Sequence, residues 1–313
     1  MKVGFIGLGN LGAKLAGSLL RNNVPLMVLD LDTDVMARFA ERGAQTARDA
    51  AQIAADNDVI ITCLPSPKAS DAVMTQMLPN MGAGKTWLEM STTDAGEIKR
   101  LAAIVEATGA RAVDCPVSGG CHRAATGNIS IFAACDRDLF ETVLPLLTIL
   151  GRRVLHTGPV GSASTLKVMT NYLATTHLFA LNEAFITMKA AGMDMATTFE
   201  AIKISSGNSF VHETESQLIL SGSRDVNFTL DLIDKDLGLF QKIADDNNVP
   251  LTLSPKVLDM VHEGQAALGH DAQSDRTIEL YEGPTGLQCL ADGFPMELID
   301  DEPEEKGYEV RPR

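Results

Sequence analysis

A glycine turn, Gly7-Leu8-Gly9-Asn10-Leu11-Gly12, stands between the apolar run Val3–Ile6 and the amphipathic segment Asn10–Asn22. The spacing reads as a strand that turns tightly into a helix. Gly7 permits the turn, Gly9 keeps the backbone bare where a pyrophosphate approaches, and Gly12 lets the helix lie close on the strand. The start of that helix offers unpaired N–H groups and the positive end of a dipole to phosphate. Asp30 closes the next apolar run, Leu26–Asp30, 18 residues after Gly12. A carboxylate there suits the hydroxyls of an adenosine ribose and repels a 2′-phosphate. Neighbouring Leu31 adds no positive charge, although Arg38 on the following helix could reach over. These residues predict a dinucleotide site, with NAD preferred over NADP. The plainer alternative for Asp30 is a cap on the next turn.

The rest of the first half extends the same pattern. Short β-rich runs are expected at Lys2–Ile6, Leu26–Asp30, Asp58–Leu64, Thr86–Met90, Arg111–Asp114, Ile129–Ala133 and Arg153–His156. Helical segments such as Ala95–Thr108 lie between them, which predicts βαβ units and a mostly parallel sheet. Runs such as Val59-Ile60-Ile61 are continuously apolar, as a strand covered by helices on both faces requires. After Gly161 the pattern changes. Leu166, Met169, Leu173 and Leu181 recur at helical spacing with no Gly or Pro from Ser162 to about Ala191. Helices are further expected at Met195–Ile204, Leu230–Asp246, Ser254–Leu268 and Ser274–Tyr281, and no strand. The fold class is therefore α/β: a doubly wound Rossmann domain over residues 1–160, then an all-α domain over 161–291. Residues 292–313, with the block Asp300-Asp301-Glu302-Pro303-Glu304-Glu305-Lys306, read as a solvated acidic tail.

Charge and cysteine usage exclude other classes. With 26 Lys+Arg against 41 Asp+Glu the formal charge is −15, unsuited to nucleic acid, whose phosphates need clustered cations. The five cysteines contain no C-x-x-C pair, so neither a metal site nor a disulfide framework is expected. Apolar stretches fall short of the roughly 20 residues of a membrane span. A cytoplasmic protein without a membrane partner is expected.

Three further motifs carry chemistry. Leu64-Pro65 and Ser91-Thr92-Thr93-Asp94 end strands, where ligands of open parallel sheets sit, although both also make turns and helix caps. Ser118-Gly119-Gly120 follows a strand and can form a nest of N–H groups for an anion. Lys167 and Asn171 lie one helical turn apart on one face, so one can donate a proton while the other orients the receiving oxygen.

In order and spacing, Gly4-Phe5-Ile6-Gly7-Leu8-Gly9-Asn10-Leu11-Gly12, Ser91-Thr92, Asp114-Cys115-Pro116-Val117-Ser118-Gly119-Gly120, Lys167 with Asn171, and Lys235-Asp236-Leu237 resemble the β-hydroxyacid dehydrogenase family. That group includes 3-hydroxyisobutyrate dehydrogenase, tartronate semialdehyde reductase and the glyoxylate/succinic semialdehyde reductases. The resemblance implies an NAD-dependent enzyme that interconverts a small anionic 3-hydroxy acid and its semialdehyde or keto acid. It implies that Lys167 exchanges the proton, Asn171 holds substrate, and Ser118, Gly119 and Gly120 grip its carboxylate. By the same match Thr92 and Lys235 contact the cofactor, Phe228 and Asp236 border the site, and the helical domain, 6-phosphogluconate dehydrogenase-like, assembles a homodimer or homotetramer, whereas Leu64 and Pro65 are expected beside the cofactor from their place at a strand end alone. Cys121-His122-Arg123 replaces the small residues common in relatives. Arg123 there either pairs a second substrate anion or faces water. Imine reductase-like activity is the alternative chemistry, opposed by Lys167, which imine-reducing relatives commonly lack. A non-catalytic nucleotide-binding protein is the third reading.

Overall fold

The computed structural model describes residues 1–312, and Arg313, the end of the expected tail, lies outside the described residues. The strands are β1 (Val3–Ile6), β2 (Leu26–Leu29), β3 (Gln45–Thr46), β4 (Val59–Thr62) and β5 (Thr86–Glu89), then β6 (Arg111–Asp114), β7 (Val117–Ser118), β8 (Ser130–Ala134), β9 (Arg153–Gly158) and β10 (Tyr308–Val310). In the first half the helices are α1 (Gly12–Arg21), α2 (Thr33–Glu41), α3 (Ala50–Asp56), α4 (Pro67–Met77), α5 (Ala95–Glu106), α6 (Gly120–Thr126) and α7 (Arg137–Leu150). The second half holds α8 (Ser162–Ala190), α9 (Met195–Lys203), α10 (Phe210–Ser221), α11 (Leu230–Asp246), α12 (Leu253–Leu268) and α13 (Glu279–Thr285).

The sheet runs β10-β9-β8-β6-β5-β4-β1-β2-β3, with β7 beside β8. All pairings are parallel except those of β6 and β7 with β8. The chain leaves β1 for β2 on one side and returns to β4 on the other, which makes the carboxyl ends of β1 and β4 the switch point where open sheets bind ligands. Side chains alternate between two helical layers. Val3, Phe5, Ile61, Leu88 and Val113 pack with Leu15 and Leu19 of α1 and Phe140 of α7. Ile6, Ile60, Trp87 and Ala112 pack with Ile53 of α3, Met77 of α4 and Leu101 of α5. Burial on both faces is why these strands read as unbroken apolar runs.

The chain divides into two compact units: residues 1–167 with the C-terminal residues from Asp300 onward, and Val168–Ile299. The second unit holds α9 to α13 and most of α8, around two apolar clusters. One centres on Phe185, Phe199 and Ile219, the other on Leu230, Leu237 and Val261. The division falls after Lys167, seven residues beyond the expected boundary at 160, because the first turns of α8 are bound to the sheet.

The acidic stretch is not a solvated tail. From Asp300 the chain packs on the first unit, and β10 adds a parallel strand to β9, with Tyr308 opposite Arg153 and Val310 opposite Leu155. Its acids meet arginines: Glu302 pairs Arg123 and Arg153, Glu304 pairs Arg21, Glu305 pairs Arg152, and Glu309 pairs Arg137. A charge block reads as solvated only while its counter-charges, far away in sequence, are unseen. The same distance hid β10, and two-residue β3 and β7 are too short to show a period. No helix among the described residues is long and apolar enough to cross a membrane.

Candidate active site

The glycine turn has the geometry of a tight strand-to-helix junction. Gly7 has φ 96°, and a Cβ on it would stand 2.2 Å from the Cys63 carbonyl oxygen. A Cβ on Gly12 would stand 2.0 Å from the Gly7 oxygen, which shows how closely α1 starts against the turn. At Gly9 a Cβ would meet nothing within 4 Å. The open side of the turn is therefore at Gly9, and no side chain caps the first turn of α1. Space and uncapped N–H groups together fit a pyrophosphate.

Asp30 does not cap α2, a role that Asp32 fills by accepting from the N–H groups of Asp34 and Val35. Asp30 instead fastens the turn to the end of β2: Oδ2 accepts from Leu8 N–H at 2.5 Å and Oδ1 from Asp32 N–H at 2.9 Å. Leu31 beside it is fully exposed.

The ends of β4 and β5 are joined by Glu89, a buried residue not singled out from sequence. Its Oε1 accepts from Ser91 N–H at 2.8 Å and from the Ser91 hydroxyl, and its Oε2 accepts from Thr62 Oγ1 at 2.9 Å. Ser91 Oγ in turn accepts the Leu64 N–H at 2.7 Å. Burial pushes the Glu89 carboxyl up to about 7, outweighing the hydrogen bonds from Ser91 and Thr62. The chain thus positions Leu64 and Pro65 through Ser91. The expected cap in Ser91-Thr92-Thr93-Asp94 is Asp94, which accepts from Gly96 and Glu97 N–H, while half-buried Thr92 precedes it.

Gly119 and Gly120 take φ 129° and 85°, conformations that glycine adopts without strain, and lead from Ser118 in β7 into α6. Arg123 of α6 lies over this loop, its Cδ 3.4 Å from where a Gly119 Cβ would stand. Its guanidinium donates to Glu302 Oε1 at 3.0 Å, so the chain itself supplies an anion where either a second substrate anion or water was expected. Neighbouring Cys121 has its thiol pushed above the ordinary range by burial, which disfavours the nucleophilic thiolate.

Lys167 lies in α8 and is 8% exposed. Asp114, at the end of β6, anchors the helix that carries it. Oδ2 accepts from the N–H groups of Gly161 and Ser164, each at 3.0 Å, and Oδ1 accepts from Ser164 Oγ at 2.7 Å. The family motif contains Asp114, but only the fold reveals this contact. Burial raises its carboxyl against the donors of Ser164 and Gly161.

In the second unit, Asn171 donates its amide to Asp236 Oδ2 at 2.5 Å, and Lys235 Nζ stands 3.2 Å from Asp236 Oδ1. Asp236 is buried and joins the two expected residues into one polar group. Phe228 packs against the Leu230 and Leu237 cluster, and its N–H donates to Gln273 Oε1. Among the described residues no group of three or more His, Cys, Asp or Glu could hold a metal.

Comparison with known proteins extends these observations. Residues 2–158 match the family described as the NAD binding domain of 6-phosphogluconate dehydrogenase. Residues 161–281 match the family described as NAD-binding of NADP-dependent 3-hydroxyisobutyrate dehydrogenase. The chain is 31% identical over 292 residues to 2-(hydroxymethyl)glutarate dehydrogenase of Eubacterium barkeri, covering 92% of this chain and 97% of that one. It is 31% identical over 289 residues to mitochondrial 3-hydroxyisobutyrate dehydrogenase of Rattus norvegicus, covering 89% and 86%. A solved 3-hydroxyisobutyrate dehydrogenase from Salmonella typhimurium superposes with a TM-score of 0.83 at 26% identity, covering 90% of this chain and 99% of that one.

Proposed function

The chain belongs to the β-hydroxyacid dehydrogenase family, and from that premise we propose that it interconverts a small 3-hydroxy acid and its semialdehyde or keto acid, with Lys167 as the acid and base. It is an NAD(P)-dependent oxidoreductase acting on CH–OH groups. The observation that carries the site assignment is the position of buried Lys167 in a helix anchored by Asp114. When bound, the nicotinamide dinucleotide supplies or accepts the hydride.

The chain's residues do the remaining work. The Lys167 ammonium protonates the substrate oxygen as negative charge gathers on it during reduction, and takes the proton back during oxidation. Asn171, one turn further along α8 and held by Asp236, orients that oxygen. Ser118, Gly119 and Gly120 bind the substrate carboxylate through hydroxyl and N–H groups. The turn from Gly7 to Gly12, with Leu8, Asn10 and Leu11, binds the pyrophosphate, while Leu64, Pro65, Thr92 and Lys235 border the cofactor. NAD is preferred over NADP because Asp30, Asp32 and Asp34 concentrate negative charge where a 2′-phosphate would lie.

Arg123 is already neutralised by Glu302, which favours a substrate with a single carboxylate. A homodimer or homotetramer is supported by an apolar groove along α8 and α9, lined by Ala180, Ala184, Met188, Met193 and Ile202. Met188 and Met193, both exposed in this groove, favour its covering by a second copy. A cytoplasmic location is our reading from the five scattered cysteines, odd in number and without a C-x-x-C pair, which suit a reducing compartment.

The decisive experiment is Lys167→Ala, assayed on 3-hydroxyisobutyrate, glycerate, 2-hydroxymethylglutarate and sulfonated analogues with NAD and NADP. Turnover should fall by about 10²- to 10⁴-fold while NADH binding persists. Near-normal turnover in the variant would sink the assignment.

A further inference from the structure

The residues from Asp300 onward lie beyond the stretch matched to the family, which ends at 281. We propose that this C-terminal segment is a working part of the substrate loop, with Asp300 and Glu302 as positioning residues that hold α6 and, through the Arg123 stem, Ser118–Gly120. The inference rests on the assignment of that loop to the substrate carboxylate.

Contacts converge on both ends of α6. At its first turn the Arg123 stem covers Gly119, and the far end of the side chain is fixed by Glu302 Oε1 at 3.0 Å. The other Glu302 oxygen accepts from Arg153 of β9 at 3.3 Å, so the carboxylate ties α6 to the sheet. At the last turn Asp300 accepts from the Thr126 hydroxyl and from Asn128 Nδ2, the latter at 2.7 Å. Asn128 is fully buried, and its amide also donates to the Glu302 carbonyl oxygen at 2.8 Å. Both of these acceptors of the buried amide nitrogen therefore come from the C-terminal segment. Further along, Gly307 crosses Gly151 so closely that a Cβ would stand 2.1 Å from the Gly151 oxygen, and β10 then pairs with β9. The segment is thus fixed in register just after the two positioning residues.

Gly119 and Gly120 are the flexible members of the loop, since glycine has the widest choice of φ and ψ. A loop of this kind binds an anion tightly only if its N–H groups are held in one arrangement beforehand. Neither Asp300 nor Glu302 need touch substrate for this: each acts on the shape of the loop through α6.

The test uses the full-length chain with Glu302→Gln and Asp300→Asn, and Glu305→Gln as a control at the exposed Arg152 pair of the same segment. Amide hydrogen exchange over residues 118–126 should quicken about tenfold in the first two variants and stay unchanged in the control. In the 3-hydroxy acid assay, KM should rise about five- to tenfold with kcat within about twofold and NADH affinity unchanged. Unchanged exchange at 118–126 overturns the proposal, as does an equal effect of Glu305→Gln on exchange and KM. If the wild-type chain oxidises no 3-hydroxy acid, the functional reading fails, whereas the exchange measurement still decides whether the segment holds the loop.

Discussion

Two carboxylates with similar chemistry do different work because of what donates to them. Asp114 takes three hydrogen bonds from the start of α8. Asp114→Ala removes that anchor and leaves buried N–H groups unpaired, a cost of about 2–3 kcal/mol. The expected outcome is a lower Tm together with a lower kcat, with NADH affinity at the distant glycine turn preserved, measurable by fluorescence titration. Asp30 divides its oxygens between Leu8 and Asp32 N–H. Asp30→Ser keeps a polar group there but removes the charge, so the ratio of kcat/KM for NAD over NADP should fall by about tenfold or more. An unchanged ratio would remove Asp30 from cofactor choice. Asp30 was singled out by its spacing from the glycine turn, whereas Lys167 and Asn171 were singled out chiefly by their resemblance to the family motif. Glu89 and the anchoring role of Asp114 were not, because a single acid at the end of an apolar strand looks the same whether it meets water or a neighbouring strand.

At the scale of elements, the strand–turn–helix from Val3 to Arg21 separates two uses of glycine. A methyl group at Gly12 collides with the Gly7 backbone, whereas one at Gly9 enters open space. Gly12→Ala should therefore lower Tm and NADH affinity together. Gly9→Ala should leave Tm nearly unchanged, within about 0.5–1 kcal/mol of wild-type stability, yet still weaken NADH binding. Thermal melts and NADH titrations of both variants check this, and a large Tm loss in Gly9→Ala would contradict the open-cradle reading. Elements of this kind were legible because local pattern and tertiary environment agree: Leu15 and Leu19 recur at helical spacing and pack in the core. β7 and α6 escaped notice, being too short for any period, and their glycine junction reads only as a turn. The segment Ser274–Tyr281, expected as one helix, divides into a 3-10 turn, Ser274–Ile278, and α13.

Across the whole molecule, each unit encloses an acid held above its ordinary range: Glu89 in the first and Asp275 in the second, each pushed to about 7, with burial the main cause. Between their ordinary values and about 7, the folded chain keeps protons that the unfolded chain has released. Their contribution to stability is therefore greatest on the acid side of this window and declines as pH rises towards 7, and Glu215 of the second unit, pushed up to about 8 by desolvation, carries the decline further. Glu89→Gln should reduce the difference in urea unfolding free energy between pH 5 and pH 8 by an amount on the order of 3 kcal/mol. A pH profile identical to wild type would contradict the raised Glu89 carboxyl. The sequence by itself determined the order of the two architectures, the cofactor turn and the lysine helix, because each is written in spacings of a few residues. Only the tertiary structure decided where α8 is anchored, that Arg123 meets Glu302, and that the acidic end becomes a strand of the first unit. Those outcomes join residues 47 to 179 positions apart, such as Asp114 with Gly161 and Arg123 with Glu302. No local pattern records such partners, since counter-charges and open sheet edges exist only once the chain has folded.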